Sequence, residues 1–245
     1  MSRSIETATG RRIAYHQTGG TGPGVVFLGG FMSDMGGTKA LHLQQWAERT
    51  GRAFLRFDYS GHGDSGGMFE DGCIGDWAED ARAVIETLTD GPQVLVGSSM
   101  GGWIGLLIAR AMPQRVAGMV TIAAAPDFTE RGFWAGMDDA TRERLMRDGV
   151  VRRPSDYDAP YPITRRLIED GRDHLIMDRA LDLPFPVRML QGTADADVPM
   201  QWALDLLDHA RGDDIRLTLV KGADHRFSSE PCLRLTVEAI EDVLG

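Results

Sequence analysis

The most constraining feature of the chain is an apolar run that passes through a Gly-x-Ser-x-Gly motif into a second apolar run. Residues 93–97 have the length and composition of a buried strand, and residues 103–108 continue as a buried helix. Gly97 and Gly101 lack a Cβ atom, so the chain can turn sharply between the two elements and lift the Ser99 hydroxyl above the sheet edge. The pattern predicts a nucleophile elbow with Ser99 as the nucleophile.

A second match to the motif surrounds Ser65, in the stretch 63–67. Residues 68–72, which follow it, have the composition of a loop, and no helix is predicted there. We therefore interpret Ser65 as a polar residue in a glycine-rich turn. The same string occurs in chymotrypsin-like proteases, but their antiparallel barrels do not fit a chain that alternates strands with helices.

Length and charge limit the class of protein. The chain has 245 residues, of which 42% are hydrophobic and 25% charged, as expected for one soluble globular domain over residues 1–245. Its net charge of −10 is spread without a basic run, which argues against a nucleic-acid partner. Residues 1–6 lack the apolar core of a signal peptide, and no stretch is long enough to cross a bilayer. We expect a cytoplasmic protein without integral membrane association.

Alternating patterns along the chain predict an α/β fold. The predicted strands cover residues 4–7, 12–18, 25–28, 53–57, 93–97, 116–123, 187–190 and 215–220, with a glycine-rich turn over 19–24. The predicted helices cover residues 38–49, 74–88, 103–108, 199–210 and 230–244. Strands this apolar indicate a mainly parallel, eight-stranded sheet covered by helices on both faces. Residues 127–186 do not follow this alternation of strands and helices. We interpret them as a small cap insertion, with an ordinary helical excursion as the alternative.

A serine nucleophile needs a base and an acid, and the chain offers both beyond predicted strand ends. Asp195 follows the strand 187–190, and His225 follows the last strand. Asp197 is the rival acid, although it can instead cap the next helix. Asp224, beside His225, is a minor candidate. We expect Ser99, Asp195 and His225 to form the catalytic site, with two reduced thiols at the cysteines and no metal.

An acyl-transfer site also needs two backbone N–H donors for the oxyanion. The Met100 N–H, directly after the nucleophile, is one candidate. The second is expected in the loop after residues 25–28, where Gly29 and Gly30 let the backbone approach the substrate. Phe31 is the first choice for that donor, and Met32 is the second.

The stretches 36–40, 56–61 and 97–103 resemble one branch of the α/β-hydrolase superfamily. That branch contains the mitochondrial palmitoyl-protein thioesterase that is also the mycophenolic acid acyl-glucuronide esterase. The resemblance implies the α/β-hydrolase fold and a Ser-Asp-His triad that cleaves carboxylic esters and acyl thioesters without a cofactor. We expect the chain to depart from the branch in lacking a mitochondrial targeting extension, and Gln191 stands where relatives commonly carry His. We expect Gln191 to affect only packing behind Asp195.

The substrate is less well defined by the sequence than the chemistry is. Met32, Trp103, Phe133 and Trp134 are candidates to line an acyl pocket, with core packing as the alternative for Trp103. The expected partner is a small-molecule acyl ester or thioester, or an S-acylated protein. Two other functions stay open: a different reaction on the same fold, such as carbon–carbon bond, amide or lipid hydrolysis, and noncatalytic ligand binding.

Overall fold

A single large sheet organises the protein. In the computed structural model, which describes residues 2–153 and 160–245, eight strands of the described chain form this sheet in the order β1-β2-β4-β3-β5-β6-β10-β12. Its strands are β1 (Arg3–Glu6), β2 (Arg12–Thr18), β3 (Thr21–Leu28), β4 (Arg52–Phe57), β5 (Gln93–Ser98), β6 (Val116–Ile122), β10 (Val187–Gly192) and β12 (Ile215–Val220). Strands β1 and β2 pair antiparallel, β2 also pairs antiparallel with β4, and the remaining neighbours are parallel.

Helices cover both faces of this sheet. The helices of the described chain are α1 (Thr38–Thr50), α2 (Ile74–Leu88), α3 (Met100–Ala111), α4 (Asp139–Asp148), α5 (Arg165–Asp173), α6 (Met200–His209) and α7 (Glu230–Leu244), of which α4 and α5 belong to residues 127–186. Because successive side chains of a strand point to opposite faces, Val25 and Phe27 pack with α1 and α7, whereas Val26 and Leu28 pack with α2 and α3. The predicted α/β architecture with a mainly parallel eight-stranded sheet is confirmed. None of the helices in the described part of the chain is long and apolar enough to cross a membrane.

The predicted turn over residues 19–24 is partly wrong. Strand β3 begins at Thr21 and pairs with Arg52, and the register with β4 then shifts before Val25. Glycine is a poor strand former, but such a register shift accommodates it, because one strand bulges past its partner there. The two cysteines, Cys73 and Cys232, are buried free thiols.

The segment predicted as a cap, residues 127–186, lies in the chain between β6 and β10. Its described part contains a π-helical turn over Thr129–Trp134, helices α4 and α5, the antiparallel pair β7 (Val150–Arg153) and β8 (Tyr161–Thr164), and β9 (Leu181–Asp182), which pairs with β11 (Ala210–Arg211). Residues 154–159 of the segment lie outside the described residues. A small apolar cluster of Leu145, Val151, Ile163 and Ile168 contacts Phe31 and Phe133. The segment therefore packs against the loop that follows β3, while its definition as a separate insertion stays a prediction.

Candidate active site

Ser99 occupies a strained position between β5 and α3. Its φ of 54° and ψ of −117° lie in a region that L-residues rarely adopt. The surrounding backbone is too close for side chains: a Cβ on Gly101 would lie 2.1 Å from the Leu28 carbonyl oxygen, and one on Gly97 would lie 2.4 Å from the Gly101 oxygen. The Ser99 N–H donates to the Ile122 carbonyl at 2.9 Å, which ties the turn to β6. The two motif glycines thus make the strained turn possible.

Ser99, His225 and Asp195 form a continuous chain of hydrogen bonds. His225 Nε2 lies 3.1 Å from Ser99 Oγ, and His225 Nδ1 lies 2.8 Å from Asp195 Oδ2. An ionised carboxylate can only accept, so Nδ1 carries the proton and Nε2 of the neutral ring is left as the acceptor for the serine hydroxyl. The structure therefore brings together three residues that lie 30 to 126 positions apart in the sequence.

The surroundings of Asp195 favour its charged form. Its side chain is fully buried, and Oδ1 accepts the backbone N–H groups of Asp197 at 2.9 Å and Val198 at 2.8 Å. Burial alone would raise the pKa of Asp195, but its interaction with His225, together with the hydrogen bonds from the Val198 N–H and the Gln191 amide, outweighs burial and lowers the pKa below its ordinary value. An ionised, immobile carboxylate is suited to hold one orientation of the imidazole ring.

Gln191 makes a further contact with this carboxylate. Its Nε2 donates to Asp195 Oδ2 at 3.0 Å, from a fully buried position on β10. The expectation that Gln191 affects only packing is therefore wrong. The strand end carries the amide next to the loop that holds Asp195, so the side chain reaches the carboxylate directly.

The rival acids have other surroundings. Asp197 is exposed, and its backbone N–H contacts Asp195. Asp224 Oδ1 accepts the Phe227 N–H at 3.1 Å and thereby shapes the loop that holds His225. Ligand atoms of Asp195, Asp197 and His225 lie within 4.8 Å of one another, as a metal site would require. However, both oxygens of Asp195 already accept hydrogen bonds, so this donor set is arranged to hold the imidazole and not to bind a cation.

The candidate oxyanion donors lie beside Ser99. Phe31 and Met100 both line the cavity in front of the serine. The loop that carries Phe31 is fixed from behind, because the Met35 N–H donates to Asp58 Oδ1 at 2.6 Å and Arg56 Nη1 donates to the Met35 carbonyl at 2.7 Å. Two converging backbone segments can thus present N–H groups to the same small volume.

Ser99 opens into a cavity of about 940 Å³. One part of its wall is apolar and aromatic, and Phe31 lies at its centre, in edge contact with Phe128, Phe133 and Tyr161. Other apolar residues of the lining are Met32, Met100, Ala125, Ala196, Val198, Pro199 and Trp202. Within the part of the chain that the structure describes, the charged lining residues are Lys39, Arg131, Arg153, Asp197 and Arg226. Apolar and cationic side chains therefore line the cavity together, and Arg131 and Arg153 lie over the rings of Trp202 and Phe133.

Two predicted substrate contacts are wrong. Trp103 is fully buried in the core, where its Nε1 donates to the His174 carbonyl at 3.2 Å. Trp134 does not line the cavity; its ring lies under the guanidinium groups of Arg142 and Arg172. Residue type shows that a tryptophan is apolar, but it does not show on which side of a helix or turn the ring lies. Met32 and Phe133, by contrast, do line the cavity.

The serine of the second motif match, Ser65, serves to hold the backbone together. Its hydroxyl donates to the Asp58 carbonyl at 2.6 Å and accepts the Ala14 N–H at 2.8 Å. Both of its hydrogen-bonding functions are used to join a loop to β2. Of the two motif serines, Ser99 is the one beside His225 and the cavity.

Comparison with known proteins identifies the family. A family model described as the alpha/beta hydrolase fold matches residues 24–158. The chain belongs to the α/β-hydrolase family. The mitochondrial palmitoyl-protein thioesterase of Bos taurus is 35% identical to this α/β-hydrolase over 234 residues, which cover 95% of the chain and 76% of the relative. The rat protein of the same name is 33% identical over 234 residues, 95% of the chain and 78% of that relative.

Solved structures agree with this assignment. A putative hydrolase from Agrobacterium vitis S4 shares 40% identity with a TM-score of 0.95, and the match covers 100% of this chain and 99% of the other. The mouse alpha/beta hydrolase domain-containing protein 10 shares 30% identity with a TM-score of 0.92, over 100% and 98% of the two chains. The predictions of an α/β-hydrolase fold and of an ester or thioester hydrolase are confirmed.

Several residues of this α/β-hydrolase site were not predicted. Arg131 stacks on the Trp202 ring at 4.8 Å and pairs with Asp205 at 2.5 Å. Lys39 Nζ donates to the Arg226 carbonyl at 2.5 Å. A signal for Lys39 exists in the sequence, since a lysine in the first turn of a helix is opposed by the helix dipole and its presence there calls for another explanation.

Proposed function

We propose that this α/β-hydrolase cleaves acyl esters and thioesters through Ser99, His225 and Asp195, with a covalent acyl-enzyme intermediate. The observation that carries the proposal is the unbroken chain of hydrogen bonds from the buried Asp195 carboxylate, through His225, to a serine held at a strained turn above the cavity. A serine hydroxyl is a weak nucleophile at neutral pH, and this arrangement supplies the base that it lacks.

In the first step, Ser99 Oγ attacks the acyl carbon while His225 Nε2 takes the hydroxyl proton. The positive charge that forms on the imidazole is stabilised by Asp195, which already accepts the Nδ1 proton. The N–H groups of Phe31 and Met100 stabilise the oxyanion of the tetrahedral intermediate. His225 then gives its proton to the departing alcohol or thiol, and the acyl group remains on Ser99.

In the second step, a water molecule takes the place of the leaving group. His225 accepts a proton from this water as it attacks the acyl-enzyme, and the same two N–H groups stabilise the second oxyanion. Return of the proton to Ser99 Oγ releases the carboxylic acid. The residues of the first step therefore complete the cycle without a change of position.

The cavity and the relatives support the substrate class. The aromatic wall around Phe31 suits the apolar chain of an acyl group, and about 940 Å³ is enough for a substrate of ordinary small-molecule size. The bovine and rat relatives are named palmitoyl-protein thioesterases. We extend thioester cleavage to this chain, with an S-acylated protein as one source of the thioester.

Fluorophosphonate labelling with peptide mapping tests the proposal. We expect the label on the peptide that contains Ser99 and none on the peptide that contains Ser65, so the second motif is an internal control. In the same experiment, nitrophenyl esters and acyl thioesters of increasing chain length should give a defined optimum. Ser99→Ala should remove both labelling and turnover while the far-ultraviolet circular dichroism stays unchanged.

Other outcomes would point to other functions. A labelled Ser99 without ester or thioester turnover would favour a different acyl reaction, such as amide hydrolysis, on the same residues. If the folded protein is neither labelled nor active, the proposal is wrong, and noncatalytic ligand binding is the better account. A variant tests whether the aromatic residues around Phe31 hold the acyl chain. Phe133→Ala should move the optimum of acyl-chain length toward longer chains, because Phe133 lines the cavity.

A further inference from the structure

The cavity gathers positive charge although the protein is acidic. The whole chain has a net charge of −10, but among the described residues that line the cavity four of the five charged ones are cationic. Arg131 is balanced by its ion pair with Asp205. A local excess of cations in a cleft attracts anions and disfavours cationic ligands. The lining therefore favours a ligand that carries a negative group.

Lys39 lines the cavity and can contact such a group. Its Nζ donates to the Arg226 carbonyl at 2.5 Å, and an ammonium has three donors, so two remain. Within residues 2–153 and 160–245, Lys39 has no carboxylate at ion-pair distance. The charged groups that act on it at longer range are Asp224 and Asp195, which attract it, and Arg226, which repels it.

The helix that carries Lys39 does not stabilise its charge. It lies in the first turn of α1, which contains no acidic residue, and the positive end of the helix dipole opposes a cation there. The chain uses arginine for almost all of its positive charges, and Lys221 is its only other lysine. A partly desolvated ammonium without a counter-ion is unfavourable in the free protein and is stabilised when an anion binds.

The position of Lys39 assigns it to one side of the reaction. Arg226, whose carbonyl Lys39 contacts, directly follows His225. In the proposed mechanism the leaving group takes its proton from His225 and so lies on this side of the cavity, and the aromatic residues around Phe31 are left for the acyl chain. We propose that Lys39 binds a carboxylate or phosphate on the leaving group of the substrate. This inference rests on the proposed function and adds a preference for anionic alcohols or thiols.

Matched thioesters with one acyl group test the proposal. The carboxylate pair is hexanoyl-3-mercaptopropionate and its neutral amide, and the phosphate pair is hexanoyl-4′-phosphopantetheine and hexanoyl-pantetheine. The measured quantity is the ratio of kcat/KM for the anionic and neutral members of each pair. Lys39→Met should lower this ratio by about tenfold, as expected for loss of a charge-assisted hydrogen bond. Lys39→Arg should restore much of it, and the pair that responds identifies the anion.

Lys221→Met is the matched control, because it removes the other lysine, which is exposed at the end of β12. Its ratio should equal that of the wild type. If Lys39 only holds the His225 loop through the Arg226 carbonyl, Lys39→Met lowers kcat/KM equally for the anionic and the neutral substrate of a pair. The ratio then stays unchanged, and the proposal is overturned. If the wild type hydrolyses no thioester, the proposed function fails first, and the binding measurement below still decides the role of Lys39.

The binding measurement needs no turnover. Burial lowers the pKa of Lys39 to about 8, so an amine-directed acylating reagent should modify it near that pH. In the Ser99→Ala variant, the anionic thioester should protect Lys39 from the reagent and the neutral one should not, while Lys221 reacts equally in both. Equal modification of Lys39 in the presence of the anionic and of the neutral thioester would refute the anion site.

Discussion

From the backbone strain at Ser99 we predict an effect on the stability of the protein that can be measured independently of its activity. Its backbone, at φ 54° and ψ −117°, suits glycine better than any residue with a Cβ. Such conformations cost on the order of 1–3 kcal/mol. Glycine relieves this strain, but it also raises the entropy of the unfolded chain, which lowers the free energy of unfolding by about 0.4–1 kcal/mol. Ser99→Gly should therefore be more stable than Ser99→Ala by about 1 kcal/mol in the free energy of unfolding.

The comparison with alanine isolates the backbone effect, because both variants lose the hydroxyl that contacts His225. For a chain of this size, about 1 kcal/mol corresponds to a Tm difference of about 2–4 °C, which calorimetry and denaturant titration resolve. Ser98 supplies the control: it lies within β5, where glycine destabilises a strand, so Ser98→Gly should be less stable than Ser98→Ala. If Ser99→Gly is no more stable than Ser99→Ala, the turn is not strained and the reasoning is wrong.

Three further predictions follow from the same site. Asp195→Asn should lower kcat on nitrophenyl esters by about 10³–10⁴-fold because the amide no longer holds the imidazole tautomer, whereas Asp197→Asn should lose far less; the reverse order would make Asp197 the acid. Because the pKa of Asp195 is lowered in the folded state, its carboxylate stabilises the protein above pH 4 and this contribution disappears as the pH falls through the folded pKa. In urea titrations, the stability difference between wild type and Asp195→Asn should therefore shrink on acidification, and a constant difference would contradict the assignment. Gly101→Ala should destabilise the fold by about 2 kcal/mol and reduce activity, since its Cβ would lie 2.1 Å from the Leu28 carbonyl oxygen; unchanged Tm and kcat would contradict this.

Local patterns in the sequence were sufficient to predict the architecture and the three residues that are joined by hydrogen bonds beside the cavity. Ser99, Asp195 and His225 each follow an apolar strand, and the carboxyl ends of parallel strands meet at one edge of a sheet. Three positions far apart in the chain could therefore be grouped before any distance was known. Their chemical roles, the cap and the cytoplasmic compartment stay predictions.

Contacts that depend on side-chain direction could not be predicted in this way. Trp103 and Phe133 are both aromatic, yet the first lies in the core and the second lines the cavity. Gln191 was expected only to pack behind Asp195, and the folded loop places its amide 3.0 Å from the carboxylate.

The sequence by itself determined the succession of strands and helices along the chain and the sharp turn at Ser99, and it singled out Asp195 and His225 as the candidate acid and base. These follow from hydrophobic periodicity and from glycine spacing, which act over a few residues. Only the tertiary structure decided which side chains share the cavity and that Lys39 meets the loop of His225 across 187 positions. The physical reason is that a contact between distant segments depends on how helices and loops pack on the sheet, and no local pattern records that packing.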